Sequence, residues 1–147
     1  MYRVILDHPQ TQGNLGFIAR SMENFEMDEL YLVDPEFDIG GEAKKTAMHA
    51  KGLLENLKIV ESIEEAIKDL DYVAGTTGVK TTDKNVLRNG ITAEQFAERA
   101  GEVEGKLGLL FGKEDKGLRN KDLELCDFVV NIPTSENYPV MNLSHAA

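Results

Sequence analysis

The feature that most constrains this chain is the regular alternation of short apolar runs with segments of helical periodicity. The runs "LGLLF" (107–111) and "FVVNI" (128–132) are almost wholly apolar, as is typical of parallel strands buried on both faces. The alternation predicts an α/β fold, a mainly parallel sheet with helices on both faces. We expect strands at residues 3–6, 30–33, 58–60, 72–75, 107–111 and 128–132. We expect helices near residues 15–25, 43–55, 62–69, 92–100 and 119–125, and another opening near Asn142.

Length and composition set the class of protein. A chain of 147 residues fits a single domain, residues 1–147. Cys126 is the only cysteine, so no intramolecular disulfide can form, and the three histidines lack zinc-ligand spacing, so no metal is expected. No apolar run is long enough to span a membrane, and "MYRVILDHPQ" has a strand pattern without a signal core. We therefore expect a cytoplasmic protein.

The charge distribution leaves two interpretations open. A net charge of −10 argues against generic nucleic-acid binding, which usually needs a basic surface. The basic residues nevertheless cluster, in one group at Lys44, Lys45 and Lys51 and in a second at Lys80, Lys84 and Arg88. Each cluster is either a solvated surface or a local face on which a polyanion docks.

The segment after the first strand, "DHPQTQGNLGFIARSMENF", combines an apolar stripe with unusual polar positions. Residues at helical spacing predict a core-facing stripe made of Leu15, Ile18, Ala19, Met22 and Phe25. Asn14 is expected to be the helix N-cap. Gly16 and Arg20 are four residues apart, and we place them on one face away from the stripe. The simpler alternative is a capped helix with a surface arginine.

Three further segments follow strands, where open α/β sheets bind ligands. They are "AGTTG" (74–78), "FGKEDKGLRN" (111–120) and "NIPTSENYPVMNLSHAA" (131–147). Each can also be an ordinary turn, with Asn120, Asn142 or Ser144 as a helix cap. None matches the phosphate loop or the dinucleotide-binding glycine pattern. Cys126 is expected to be a structural thiol, because nothing near it in sequence lowers a thiol pKa.

The order of these motifs resembles that of the SPOUT methyltransferases. Asn14-x-Gly16-x-x-x-Arg20, then Phe111-Gly112-x-Glu114-x-x-Gly117-Leu118, then Ile132-Pro133 leading to Asn142-Leu143-Ser144, is similar to their three signature motifs. The likeness covers the chain from about residue 2 to its end. It is strongest to the SpoU branch, which methylates ribose 2′-hydroxyls of RNA, and within it to the TrmJ-type tRNA methyltransferases, which act in the anticodon loop.

The resemblance implies a fold, a cofactor and partners. It implies a C-terminal deep trefoil knot, a homodimer, tRNA as the substrate and S-adenosylmethionine as the methyl donor, without a metal or a membrane. Ribosomal RNA is the alternative substrate. Two departures are visible: Met141 stands where many relatives have Leu, and the chain stops at Ala147, early in a helix that contributes to the dimer in relatives.

The resemblance also implies a set of site residues. Arg20, Asn14 and Ser144 are the expected catalytic residues, with Arg20 binding phosphate and stabilising a developing alkoxide, since an arginine is a poor base. Proton removal falls to water, a phosphate oxygen or Ser144. The expected cofactor-binding residues are Thr76, Thr77, Gly78, Leu110, Gly112, Glu114, Gly117, Ile132, Pro133, Met141 and Asn142. The expected RNA-binding residues are Lys44, Lys45, Lys80, Lys84 and Arg88.

Two rival functions belong to other classes. The first is a module of this fold that binds RNA or S-adenosylmethionine without turnover, and the presence of Asn14, Arg20, Glu114 and Asn142 argues against it. The second is a nucleotide-binding enzyme such as a kinase, against which the missing phosphate loop argues.

Overall fold

The protein is built around one parallel sheet. The computed structural model describes residues 1–38, 41, 47, 51–77, 90–113 and 117–132. Its strands are β1 (Tyr2–Asp7), β2 (Glu29–Val33), β3 (Lys58–Val60), β4 (Tyr72–Thr77), β5 (Gly90–Thr92), β6 (Leu107–Phe111) and β7 (Phe128–Asn131). Its helices are α1 (Gln12–Asn24), α2 (Lys51–Asn56), α3 (Ile63–Ile67), α4 (Ala93–Glu102) and α5 (Asn120–Leu123). Within these ranges, no helix combines the length and the apolar character needed to cross a membrane.

The seven described strands lie in the order β3-β2-β1-β6-β4-β7-β5, and all pairs of neighbouring strands are parallel. This confirms the predicted mainly parallel sheet. The first three strands build one half, the strands β4, β7 and β5 build the other, and β6 joins the halves by pairing with both β1 and β4.

The core occupies both faces of this sheet. Val4 and Leu6 of β1 pack on one face with the apolar side of α1, whereas Ile5, between them, packs on the other face with α3. This alternation follows from the period of two in a strand. The prediction of helices on both faces is therefore confirmed.

The sequence predicted six of the seven described strands. The predicted bounds 58–60 and 107–111 match β3 and β6, and the bounds of the other four differ by one or two residues at one or both ends. The strand β5 was not predicted. It has only three residues at the edge of the sheet and begins with a glycine, so it carries no apolar run.

Three details of the predicted helices are wrong. Thr11, not Asn14, is the N-cap of α1, which begins three residues earlier than expected. Phe25 is 75% exposed, because α1 ends at Asn24 and Phe25 is its C-cap. The N-cap of α5 is Arg119 rather than Asn120, and Asp122 accepts from its backbone N–H at 3.1 Å. The helix expected at 43–55 is described only in part, by α2, and the one near Asn142 lies outside the described residues.

A buried arginine ties together the amino edge of the sheet, the edge at which the strands begin. Arg3 is 1% exposed and donates through Nε to Glu29 at 2.8 Å and through Nη1 and Nη2 to Asp69 at 2.7 and 2.9 Å. Its guanidinium also lies 4.0 Å from the ring centroid of Tyr31. The bonds with Asp69 raise the pKa of Arg3 further above its ordinary value and hold the pKa of Asp69 well below its usual range. This cluster links β1, β2 and the connection from α3 to β4.

Candidate active site at the carboxyl edge of the sheet

The strand order indicates a binding site at one place on the carboxyl edge of the sheet, the edge at which the strands end. From β1 the chain moves toward β2, and from β6, the neighbour of β1, it moves in the opposite direction toward β7. In open parallel sheets, ligands bind in the crevice that opens where successive connections diverge in this way. Leu6 of β1 is in register with Phe111 of β6, so the segments that follow these strands start side by side.

Residues of three adjacent strands, expected to bind the cofactor, meet at this edge. Gly75 of β4 is in register with Leu110 of β6, and Thr77 of β4 with Asn131 of β7. The hydroxyl of Thr76 donates to the carbonyl of Leu110 at 3.3 Å, and the N–H of Ile132 donates to the carbonyl of Thr77 at 3.2 Å. The structure therefore brings Thr76, Thr77, Leu110 and Ile132 together.

The turn after β6 depends on its two glycines. Lys113 and Gly117 form an antiparallel bridge, with the N–H of Gly117 donating to the carbonyl of Lys113 at 2.9 Å. Gly117 has φ +66°, a conformation that favours glycine. A Cβ on Gly112 would collide with the backbone of Gly117 and Leu118. The chain therefore turns back on itself between Lys113 and Gly117.

Two of the residues expected to act in catalysis, Asn14 and Arg20, lie at different heights along α1. Asn14 is 9% exposed in its first turn, and Arg20 is exposed. Six residues at 1.5 Å each place them about 9 Å apart along the axis. Gly16 and Arg20 are four residues apart on one face of α1, and this face is covered at Gly16 and exposed at Arg20. Arg20 thus faces solvent two turns away from the carboxyl edge.

Charged side chains that the sequence did not single out lie at the same edge. The imidazole of His8 contacts two carboxylates, those of Asp7 and Asp34, and Lys113 Nζ contacts Glu36 Oε1 at 3.1 Å. The hydrogen bond from Lys113 lowers the pKa of Glu36. Their positions in the sequence could have indicated them, because His8 directly follows the first strand and Asp34 directly follows the second.

Cys126 packs closely against Gly75 of β4, next to the candidate site. A Cβ on Gly75 would stand 2.6 Å from its Sγ, so the absence of a side chain lets the segment after α5 approach β4. The thiol donates to the carbonyl of Asp122 at 3.6 Å, and burial raises its pKa to about 12. A thiol with a raised pKa is a poor nucleophile, as expected for a cysteine with a structural role.

Other expected site residues lie outside the described part of the chain. Among the cofactor-binding and catalytic residues these are Gly78, Glu114, Pro133, Met141, Asn142 and Ser144. The five expected RNA-binding residues, Lys44, Lys45, Lys80, Lys84 and Arg88, also lie outside it.

The comparison with known families agrees with this geometry. The sequence model of the SpoU rRNA Methylase family matches residues 1–147. The chain belongs to this family. This chain is also similar to curated proteins named tRNA (cytidine-2′-O-)-methyltransferase TrmJ. It is 47% identical to the one from Methanocaldococcus jannaschii over 146 residues, with 99% of this chain and 64% of that protein covered. It is 35% identical to the one from Sulfolobus acidocaldarius over 144 residues, with 98% and 60% covered.

A solved SpoU structure has the same fold. The crystal structure of TrmJ from Z. mobilis superposes with a TM-score of 0.90 at 33% identity, over 99% of this chain and 64% of that one. This chain therefore spans 60–64% of the length of these three relatives, which is less than two thirds.

Proposed function

We propose that this protein is a S-adenosylmethionine-dependent RNA methyltransferase that modifies a ribose 2′-hydroxyl of tRNA, in the anticodon loop. The observation that carries this proposal is the meeting of the β4, β6 and β7 ends beside the glycine turn 112–117, in a member of the SpoU family. The two curated relatives described above are named for methylation of tRNA cytidine at the 2′-oxygen, which favours tRNA over ribosomal RNA.

The cofactor site we propose uses mostly backbone groups. Three adjacent strand ends, two threonines and a tight glycine turn suit a ligand with a polar amino-acid end and a nucleoside end, because they offer N–H and C=O groups without bulky side chains. Thr76, Thr77, Leu110, Gly112, Gly117 and Ile132 supply the described part of this site. Gly78, Glu114, Pro133, Met141 and Asn142 complete it in the proposal.

The residues of the chain have separate tasks in the proposed reaction. When bound, S-adenosylmethionine supplies a methyl group activated by a positively charged sulfur. Arg20 contacts the ribose-phosphate, stabilises the negative charge that develops on the hydroxyl oxygen, and orients that oxygen. Orientation alone can lower such a barrier by about 7–11 kcal/mol. Asn14 shapes the first turn of α1. The proton of the 2′-hydroxyl leaves to water, to a phosphate oxygen or to Ser144.

The proposal includes three larger features drawn from the family. They are a C-terminal trefoil knot, a homodimer as the active form, and an RNA-binding surface containing Lys44, Lys45, Lys80, Lys84 and Arg88. Membership in the SpoU family and the shared fold support them. The exposure of Arg20 away from the carboxyl edge is compatible with a site completed by a second subunit.

The test is methyl transfer from labelled S-adenosylmethionine to tRNA transcripts, with the modified nucleotide mapped and a ribosomal RNA fragment as the matched substrate control. Calorimetry with S-adenosylhomocysteine runs in parallel. Label in a ribose of the anticodon loop supports the proposal. Cofactor binding without label in either RNA would contradict it and favour a binding module.

A further inference from the structure

A histidine at the carboxyl edge is held between two carboxylates. His8 directly follows β1, and its Nδ1 lies 2.6 Å from Asp7 Oδ1 while its Nε2 lies 3.2 Å from Asp34 Oδ2. The side chain of Asp7 is 6% exposed, whereas that of Asp34 is 69% exposed. A buried carboxylate is costly without a donor, so we assign Nδ1 as the N–H that donates to Asp7, and this contact fixes the orientation of the ring.

The backbone around this contact is strained in two places. His8 has φ +49° and Asp34 has φ +43°, in a region that residues with a Cβ rarely adopt. The N–H of His8 donates to the carbonyl of Val33 at 2.8 Å, and that of Asp34 to the carbonyl of Val60 at 2.9 Å. Such strain persists only where the surroundings hold it, and it concentrates at functional sites. Here both strained residues belong to one side-chain contact.

The segment leading into α1 is tied to a third strand end as well. The N–H of Glu36 donates to the carbonyl of Pro9 at 3.1 Å, and its carboxylate accepts from Lys113 Nζ at 3.1 Å and from the side chain of Gln10. Lys113 belongs to the glycine turn after β6. The contacts of His8 and Glu36 therefore connect the segment that enters α1 with the ends of β2 and β6.

We propose that His8 is a positioning residue for the methyl transfer, and this inference rests on the proposed function. By bridging Asp7 and Asp34, its ring fixes the segment 8–11 and so sets the first turn of α1, with Asn14, relative to the glycine turn that belongs to the cofactor site. The ring acts through the segment it holds and touches neither substrate nor cofactor.

Three variants separate the ring from the backbone conformation. His8→Gly removes the ring but accepts a positive φ without strain. His8→Asn also tolerates this conformation and keeps one N–H donor for Asp7. Glu26→Gly is the matched control, because Glu26 has φ +56° at the other end of α1, away from the carboxyl edge.

Two measurements are made on each variant at a temperature where all are folded. The first is hydrogen exchange of the amides in residues 12–15, which needs no substrate. The second is the single-turnover rate of tRNA methylation at saturating RNA and cofactor, with the affinity for S-adenosylhomocysteine measured alongside. For His8→Gly we expect exchange at least 10-fold faster and a rate about 10–100-fold lower, since small displacements at an active site have effects of this size.

The pattern across variants decides the proposal. We expect His8→Asn to recover most of the lost rate, Glu26→Gly to match wild type, and cofactor affinity to change less than about 3-fold throughout. Wild-type exchange in His8→Gly would overturn the proposal. Equal rate losses in His8→Gly and His8→Asn with unchanged exchange would also overturn it, because the ring would then act on the reacting atoms. If wild type methylates no RNA, the proposed function fails, while the exchange measurement still decides whether His8 fixes α1.

Discussion

The two edges of the sheet use charged residues in different ways. At the amino edge, Arg3 is completely enclosed and satisfied by Glu29, Asp69 and the carbonyl of Ala66. At the carboxyl edge, His8 and Asp34 make their contact on strained backbone, and Asp34 remains largely open to solvent. The first arrangement joins elements that must stay together for the fold to exist. The second holds the position of loops, and loops on a rigid scaffold are where proteins place their chemistry.

This comparison predicts a separation of effects. Changes at the amino edge should lower the free energy of unfolding and leave methyl transfer by the folded protein intact. Changes at the carboxyl edge and on the exposed side of α1 should have the opposite pattern. The following experiments test this separation, from the largest expected effect to the smallest.

Arg3→Ala should lower the free energy of unfolding by about 3 kcal/mol, because it removes the shared partner of two carboxylates and the buried stem of the arginine. Urea unfolding measures this, with Arg99→Ala on the exposed side of α4 as the control, for which we expect a change within about 0.5 kcal/mol. The rate per folded molecule should stay at the wild-type level. A free energy of unfolding of Arg3→Ala equal to that of wild type would contradict the role assigned to the amino edge.

Arg20→Ala should show the reverse pattern. Because Arg20 is exposed, its loss should change stability by no more than about 0.5 kcal/mol. Methyl transfer should drop about 100–1,000-fold, the usual loss for one donor that stabilises a developing oxyanion. Arg20→Lys should restore little, since an ammonium lacks the planar fork that suits phosphate. Single-turnover kinetics with parallel cofactor titration is the measurement, and a near-wild-type rate for Arg20→Ala would remove Arg20 from the active site.

Gly112→Ala should weaken binding of S-adenosylhomocysteine at least 10-fold, about 1.4 kcal/mol. The added methyl group collides with the backbone of Gly117 and Leu118, so the turn must open. Gly101→Ala on α4 is the control, because nothing lies within 4 Å of the methyl group that it adds. Calorimetry on both variants provides the comparison. Equal affinities in the two would place the cofactor away from this turn.

The smallest expected effect is on the free energy of unfolding at low pH. Folding lowers the pKa of Asp69 through its hydrogen bonds with Arg3, so it lies below the unfolded value of about 3.9. The resulting stabilisation is therefore complete above that value and is lost as the pH falls below about 4 toward the folded pKa. Since the side chain of Asp69 is 44% exposed, solvent screens the effect. Urea unfolding at pH 7, 4 and 3 should show a shallower acid loss in Asp69→Asn than in wild type.

A double variant keeps that result interpretable. If Arg3 is the cause of the lowered pKa, Asp69→Asn should add no further change in acid dependence to Arg3→Ala. An additive effect of the two substitutions would assign the lowered pKa of Asp69 to a group other than Arg3, such as Lys106, whose Nζ lies 3.9 Å from Asp69 Oδ2.

Local patterns predicted much of the fold, and contacts between distant residues account for what they missed. The strand β6 was located to the residue because "LGLLF" is continuous and apolar. Asn14 was misplaced as a cap because Thr11, three residues earlier, also belongs to the residue types that begin helices, and residue type alone does not decide where α1 begins. Phe25 fits the helical period, but the helix ends before it.

The site shows the same division. The ends of β4, β6 and β7 meet as the motifs predicted, because the residues after buried strands share one edge of the sheet. Neither strand alone predicts the contact of His8 with Asp34, since it joins residues 26 positions apart and depends on β1 and β2 being neighbours. The register of a sheet is settled by the assembled core rather than by either strand alone.

The position of β6 has a consequence for how the chain matures on the ribosome. Among the described strands, β4 pairs with β6 and β7 alone, both of which are synthesised after it. About 30 residues separate the end of β4 from the start of β6. The strands β1, β2 and β3 can pair as they emerge. The apolar residues Val73 and Ala74 of β4, in contrast, stay unpaired until β6 has been synthesised. An unpaired apolar strand in a nascent chain is a site for chaperone binding and for aggregation. The yield of folded protein should therefore depend on how fast the residues between β4 and β6 are translated.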